Sequence, residues 1–190
     1  ALPHHKTDLI LRKINLDRYD DREIVSTNLI DSYYKMMEFV KKHLNDPFYL
    51  EGDMRISLRD KIFREAVANS LIHREYSSAY VAKMIIEKDK VVFENANIPH
   101  SYGELKPSSF TPYPKNPNIA KVFREIGFAD ELGSGVKNLY KYSKAYGGSD
   151  PIITEGEVFK IVVQTQLETT QETTQETTQE IKKLSTKERV

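Results

Sequence analysis

Apolar residues alternate with polar ones near both ends of the chain and recur every three to four residues through its middle. Residues 7–15 carry Leu9, Ile10, Leu11 and Ile14 in an alternating run that predicts a strand. Arg18 to Arg22 is a charged stretch and reads as a loop. Ser26-Thr27-Asn28 are good helix caps. After them Leu29, Ile30, Tyr33, Met36, Met37, Val40 and Leu44 fall at helical spacing, predicting a helix to about His43 that Asp46-Pro47 ends. Tyr49 to Ile56 is extended and ambiguous. Ser57 with Asp60 three residues on resembles a capping box and opens a helix over 58–75.

The second half is built from shorter segments. Ala79–Glu87 and Lys90–Asn95 read as a hairpin joined at Lys88-Asp89. Residues 95–117 form a long loop with Pro99, Pro107, Pro112 and Pro114 ahead of Pro117, a length typical of a lid, a binding loop or disorder. Asn118–Ile126 reads as a short helix. Gly133-Ser134-Gly135 precedes a helix from Val136 to about Tyr146 that Gly147-Gly148 stops. Pro151–Thr154 and Val158–Gln164 form a second hairpin around Glu155-Gly156. The mixture predicts an α+β fold, a mixed sheet with helices on one face.

From Glu168 the pattern vanishes. Thr-Thr-Gln-Glu repeats three times over 169–180 with no apolar residue, which makes a solvated linker and no core. Ile181-Lys182-Lys183-Leu184 hints at a further element. The chain begins without Met at Ala1-Leu2-Pro3-His4-His5, which reads as a fragment of a longer protein, and its 190 residues suit one domain with an appendage. Lys+Arg and Asp+Glu are 28 each, so no global basic field draws in nucleic acid. DNA contact is therefore expected through other parts of the protein. The absence of cysteine excludes disulfides and cysteine–zinc sites and fits a cytoplasmic location. No run is apolar enough to span a membrane, and no signal-peptide pattern appears.

Candidate chemistry concentrates in Arg64-Glu65-Ala66-Val67-Ala68-Asn69-Ser70-Leu71-Ile72-His73-Arg74-Glu75-Tyr76. Glu65, Asn69 and His73 are four residues apart and share one helix face. A helix-borne carboxylate can activate water, and a neighbouring Asn can ligate Mg²⁺. Gly133-Ser134-Gly135 before a helix offers backbone N–H groups to a phosphate. The plainer readings stand beside these. Glu65 and Asn69 can pair with Arg64, Arg74 or backbone. His73 is a better pocket-lining than metal-ligating histidine, since no second His sits at ligand spacing. The glycines can serve a tight turn, and Lys115-Asn116-Pro117 can be a helix start capped by Asn116. No P-loop sequence is present, so the chain holds no helicase motor.

Three strings carry a resemblance: Arg64-Glu65-Ala66…Asn69…Ile72-His73-Arg74-Glu75-Tyr76, Lys115-Asn116-Pro117-x-Ile119-Ala120 and Glu131-x-Gly133-Ser134-Gly135-Val136. With them the chain resembles the C-terminal region of bacterial RecG-related, Schlafen/AlbA-type transcriptional regulators, whose core is similar to the GHKL ATPase fold of histidine kinases, DNA gyrase B and MutL. The resemblance implies residues 1–25 as the exit from an upstream AlbA-type domain, 26–165 as a GHKL-like two-layer domain, and 166–190 as a linker toward a winged helix. It implies Glu65 as the water-activating carboxylate and Asn69 as the Mg²⁺ ligand. His73, Asn95, Asn116, Gly133, Ser134 and Gly135 would complete an ATP pocket roofed by the 96–117 loop. GHKL proteins read adenine with an Asp followed by spaced glycines, and Phe93-Glu94-Asn95-Ala96-Asn97-Ile98-Pro99 has neither. The expected function is an ATP-binding or ligand-sensing domain of a DNA-binding regulator, at most a weak ATPase. The alternative is a degenerate dimerisation scaffold without nucleotide. A second copy is a candidate partner, with the tail as a candidate contact.

Overall fold

The structure, a computed structural model, describes residues 5–14, 17–108, 113–130 and 134–165. Its first two strands, β1 (Thr7–Arg12) and β2 (Asp21–Val25), pair antiparallel. Helix α1 (Leu29–His43) follows, then a small hairpin of β3 (Leu50–Glu51) and β4 (Met54–Arg55), then α2 (Leu58–Ile72). The hairpin β5 (Ala82–Glu87) and β6 (Lys90–Ala96) comes next, with a short β7 (Gly103–Glu104), α3 (Pro117–Glu125) and α4 (Ser134–Gly147). The hairpin β8 (Ile152–Glu155) and β9 (Val158–Gln164) completes the described residues. Seven strands form one mixed sheet in the order β2-β1-β5-β6-β9-β8-β7, where β1 runs parallel to β5 and the other pairings are antiparallel. The fold is α+β, a large mixed sheet with helices packed on it.

Local signals explain the long elements. Asn28 caps α1 by accepting from the Asp31 backbone N–H at 2.9 Å, and Ser57 caps α2 through the Asp60 N–H at 3.0 Å. Strict alternation on β5 and β9 buries Met84 and Ile86, and Phe159, Ile161 and Val163, against the helices. Helix α2 is the centre of the core. Ile62, Phe63, Ala66, Val67 and Leu71 are almost inaccessible, packed between the sheet, α1 and α4. Tyr33 of α1 stacks on Phe128 at 3.8 Å and 6°, closing the end of the core beside α3.

Four expectations are corrected. Asp21–Val25, at the end of a run read as a charged loop, is an edge strand. Its polar residues stay in water, and Arg22 forks onto Asp8 of β1 at 2.8 and 2.7 Å. Strands β1 and β2, within residues 1–25 that were read as an exit segment, lie in the same sheet as β5. The proline-rich loop is not wholly irregular, because Gly103–Glu104 pairs with β8 as the seventh strand. Helix α4 starts two residues early, so Ser134 and Gly135 are first-turn residues and not a preceding turn. Helix α2 ends at Ile72 with His73 as its C-cap, three residues short of expectation. Among the described residues no helix is long and apolar enough to cross a membrane.

Candidate functional site

Between α2, the start of α4 and the sheet lies a cavity of about 400 Å³. Helix α2 contributes Asn69 and His73, and α4 contributes Val136. Ile153, Phe159 and Ile161 form the sheet wall. His100 and Tyr113 come from the two limbs of the 97–116 loop and also line the cavity, their rings meeting edge-on at 4.2 Å.

Glu65 lies one turn before Asn69 and is buried. Its Oε1 accepts from Asn69 Nδ2 at 2.9 Å, while Oε2 has no partner among the described residues. Burial raises the carboxyl above its ordinary range, and the nearby Asp130 carboxylate raises it further against the hydrogen bond from Asn69. The carboxylate sits where a Cβ on Gly135 would be, 1.8 Å from that position. Only glycine in the first turn of α4 allows this approach. Arg64 and Arg74, weighed as partners of Glu65, are engaged elsewhere. Arg64 pairs with Asp130. The buried Arg74 donates to the Lys6 carbonyl at 3.0 Å and lies over the Tyr76 ring.

His73 stacks on Phe159 at 5.3 Å and 18°. Desolvation depresses its pKa to about 4. The ring is therefore neutral near pH 7, a flat hydrogen-bonding surface on the cavity wall.

Glu155 ties down the roof. Its carboxylate accepts from the His100 backbone N–H at 2.9 Å and the Ser101 hydroxyl at 3.2 Å. Lys115 Nζ approaches it at 3.5 Å in a pair largely shielded from water. Burial works to raise the Glu155 pKa, but these donors and Lys115 together hold it below the usual range. Both limbs of the loop are thus held by one carboxylate. Asn97 fixes the loop's start, with Nδ2 donating to the Gly156 carbonyl at 2.9 Å.

The sequence-derived candidates divide. Asn69 and His73 line the cavity, while Glu65 lies behind Asn69 and meets Gly135 at the start of α4. Ser134 is exposed in the first turn of α4, and Gly133 lies outside the described residues, as does the 166–190 tail. Asn95 and Asn116 do not line the cavity. Asn116 Nδ2 donates to the carbonyls of Ile72 and Arg74 at 2.9 and 2.8 Å, and Asn95 Nδ2 to that of His73 at 3.2 Å. These amides satisfy the orphan carbonyls at the C-terminus of α2. Asn116 stands at the N-cap position of α3, as the Lys-Asn-Pro string suggested, but makes no side-chain cap bond there. Glu155, Lys115, Phe159, His100 and Tyr113 were missed as site residues. Only the alternation of β9 could have marked Phe159 as inward-facing.

Among the described residues no three His, Asp or Glu side chains gather as a metal site. The Mg²⁺ that the resemblance implies would rest on fewer protein ligands, which suits an ion that keeps waters and phosphate oxygens. Asn69 fits that role in one respect. Its amide nitrogen is committed to Glu65, which leaves the amide oxygen as the ligating group.

No protein-family model matches the chain, and neither does any curated protein sequence. Among solved structures it is similar to the DIP2311 protein from Corynebacterium diphtheriae, a structural genomics target. The TM-score is 0.68 at 16% identity, over 85% of this chain and 35% of that one. At that identity the likeness concerns the fold alone, and the chain spans about a third of the other protein's length.

Proposed function

We propose that this chain is a GHKL-like, nucleotide-binding or ligand-sensing domain of a DNA-binding transcriptional regulator, with Glu65 and Asn69 at the working end of its pocket. The cavity between α2 and α4 carries the reading. It has the Asn69 amide on one wall with the buried Glu65 carboxylate hydrogen-bonded behind it, a neutral histidine stacked on an aromatic ring, and a loop held by Glu155. Nucleotide would supply the phosphate charge that Mg²⁺ and the start of α4 can neutralise. Glu65, with a raised pKa, is suited to accept a proton from water at neutral pH.

A specific observation favours the rival scaffold reading. The Glu65 carboxylate itself occupies the space at Gly135, against the helix start that would face a phosphate. Asn95, within the Phe93–Pro99 stretch that lacks the adenine-reading Asp, is spent on the end of α2. Calorimetric titration with ATP and ADP in the presence of Mg²⁺ separates the two readings. The proposal expects saturable binding, with the amides of 97–108 and 113–116 protected from hydrogen exchange. Turnover is expected to be slow, and Glu65→Gln to lower it roughly 100-fold with affinity retained. No heat of binding at millimolar nucleotide supports the scaffold.

A further inference from the structure

The face of the sheet turned away from the helices carries a pattern that neither core nor cavity uses. On four strands its residues run charge, aliphatic, then opposite charge or amide: Asp8-Ile10-Arg12, Lys83-Ile85-Glu87, Lys90-Val92-Glu94 and Lys160-Val162-Gln164. The register sets Ile10 beside Ile85, Ile85 beside Val92, Val92 beside Val162 and Val162 beside Ile152. An aliphatic row therefore crosses five strands, about 19 Å at the usual strand spacing. Charged rows border it. Asp8, Lys83, Glu94 and Lys160 alternate in sign along one side, and Arg12, Glu87 and Lys90 along the other.

Cross-strand ion pairs engage most of the charges: Arg22 with Asp8 at 2.7 Å, Arg12 with Glu87, Lys90 with Glu87 at 3.2 Å and Lys160 with Glu94 at 2.9 Å, while Lys83 lies over the Tyr80 ring. They do not account for β-branched aliphatics at the middle position of five strands. Ile10 and Val92 lie low between their neighbours, Ile85 and Val162 are partly exposed, and Ile152 is 46% exposed. None of the five belongs to the helix-facing core.

We propose that this face is a self-association surface, on which a second copy packs sheet to sheet with the two-fold axis along the aliphatic row. Rotation about that axis sets each strand antiparallel to its own copy and exchanges the two charged rows. Asp8 then opposes Arg12 of the second copy, Lys83 opposes Glu87, Glu94 opposes Lys90, and Lys160 meets the amide of Gln164. A face made for an acidic or basic partner would carry one sign, whereas alternation of both complements itself. The arrangement is the aligned packing of a β-sandwich. Five strands by five residues cover about 24 by 17 Å, about half of the ~800 Å² per partner of a standard stable interface. The dimer is accordingly weak and concentration-dependent.

The chain has no cysteine, so introduced thiols report without background. Lys83→Cys and Glu87→Cys variants, mixed and oxidised, are expected to form a disulfide-linked heterodimer well before either variant links to itself. Sedimentation across a concentration series should show reversible dimerisation of the wild type. Val162→Lys, checked for an unchanged melting temperature, should weaken it at least roughly tenfold. Three results overturn the proposal: a wild type monomeric up to about 1 mM, cross-linking of the mixture no faster than of the single variants, or dimerisation indifferent to Val162→Lys. The last two would point to another face, such as the exposed Phe48 and Met54 beside and on the β3–β4 hairpin.

Discussion

At Gly135 one hydrogen atom decides whether a carboxylate and a helix can share a place. Alanine is favoured over glycine inside a helix by about 1 kcal/mol, yet here its methyl would fall on the Glu65 carboxylate. Gly135→Ala is expected to destabilise the protein by about 1–3 kcal/mol, the usual cost of overpacking. Adding Glu65→Ala should return much of that loss. Chemical denaturation of the four species in a double-mutant cycle should give a coupling of at least about 1 kcal/mol, and independent, additive effects would refute the contact. His73 sets a pH dependence of its own. Its folded pKa, about 4, lies below the ordinary 6.5, so the neutral ring stabilises the fold fully above pH 6.5. That contribution is lost as pH falls from 6.5 through 4. The full difference corresponds to about 3 kcal/mol. Melting curves of wild type and His73→Gln should diverge across that window and run parallel above it. Glu65 has the opposite sign. Its raised pKa makes its contribution complete below 4.5 and progressively lost as pH rises from there through its folded value.

The element that most distinguishes this fold is the roof over the cavity, whose two limbs converge on β8. Glu155 gathers His100, Ser101 and Lys115 from both limbs, while Leu105 is held by the Ile153 carbonyl at 2.8 Å and by the Tyr140 hydroxyl at 3.0 Å. Glu155→Gln leaves the Lys115 cation shielded from water without its counter-charge. The expected cost is about 3 kcal/mol, with faster hydrogen exchange at residues 98–104. Replacing the pair together, Lys115→Met with Glu155→Leu, should restore stability but not the protection of His100 and Ser101, because their acceptor is gone. Equal protection in both variants would show that the loop is held by its other contacts. A similar close approach fixes the far end of α4. A Cβ on Gly147 would lie 1.9 Å from the Gln164 carbonyl oxygen, and Gly148 turns the chain at a φ of 81°.

For the whole molecule, charge balance is the controlling quantity. With 28 cationic and 28 anionic side chains, the chain carries no net positive charge to neutralise a phosphate backbone. The isolated chain is expected to bind random duplex DNA more weakly than about 1 μM at physiological salt. A gel shift with sub-micromolar affinity would place a DNA-binding surface on this domain.

Sequence alone determined the elements whose period is strong and whose caps are local. Helices α1 and α2 follow from apolar spacing bounded by Asn28, Ser57 and Asp46-Pro47. The two long hairpins follow from alternation around Lys88-Asp89 and Glu155-Gly156. That Glu65 and Asn69 are neighbours was legible for the same reason, since four residues along a helix share a face, although the sequence left their partners as Arg64, Arg74 or backbone. Tertiary structure decided what depends on partners far along the chain. β2 is a strand because β1 offers it an edge and Asp8 a place for Arg22, which no local pattern reveals. Asn95 and Asn116, identical in type to cofactor-binding amides, turn to the end of α2 because its carbonyls there need donors. Glu65 meets Gly135 seventy positions away, and Glu155 meets both limbs of the roof, only once the sheet has formed. Burial also decided the ionisation of the site, raising Glu65 and depressing His73, because desolvation depends on everything packed around a group and not on its neighbours in the chain.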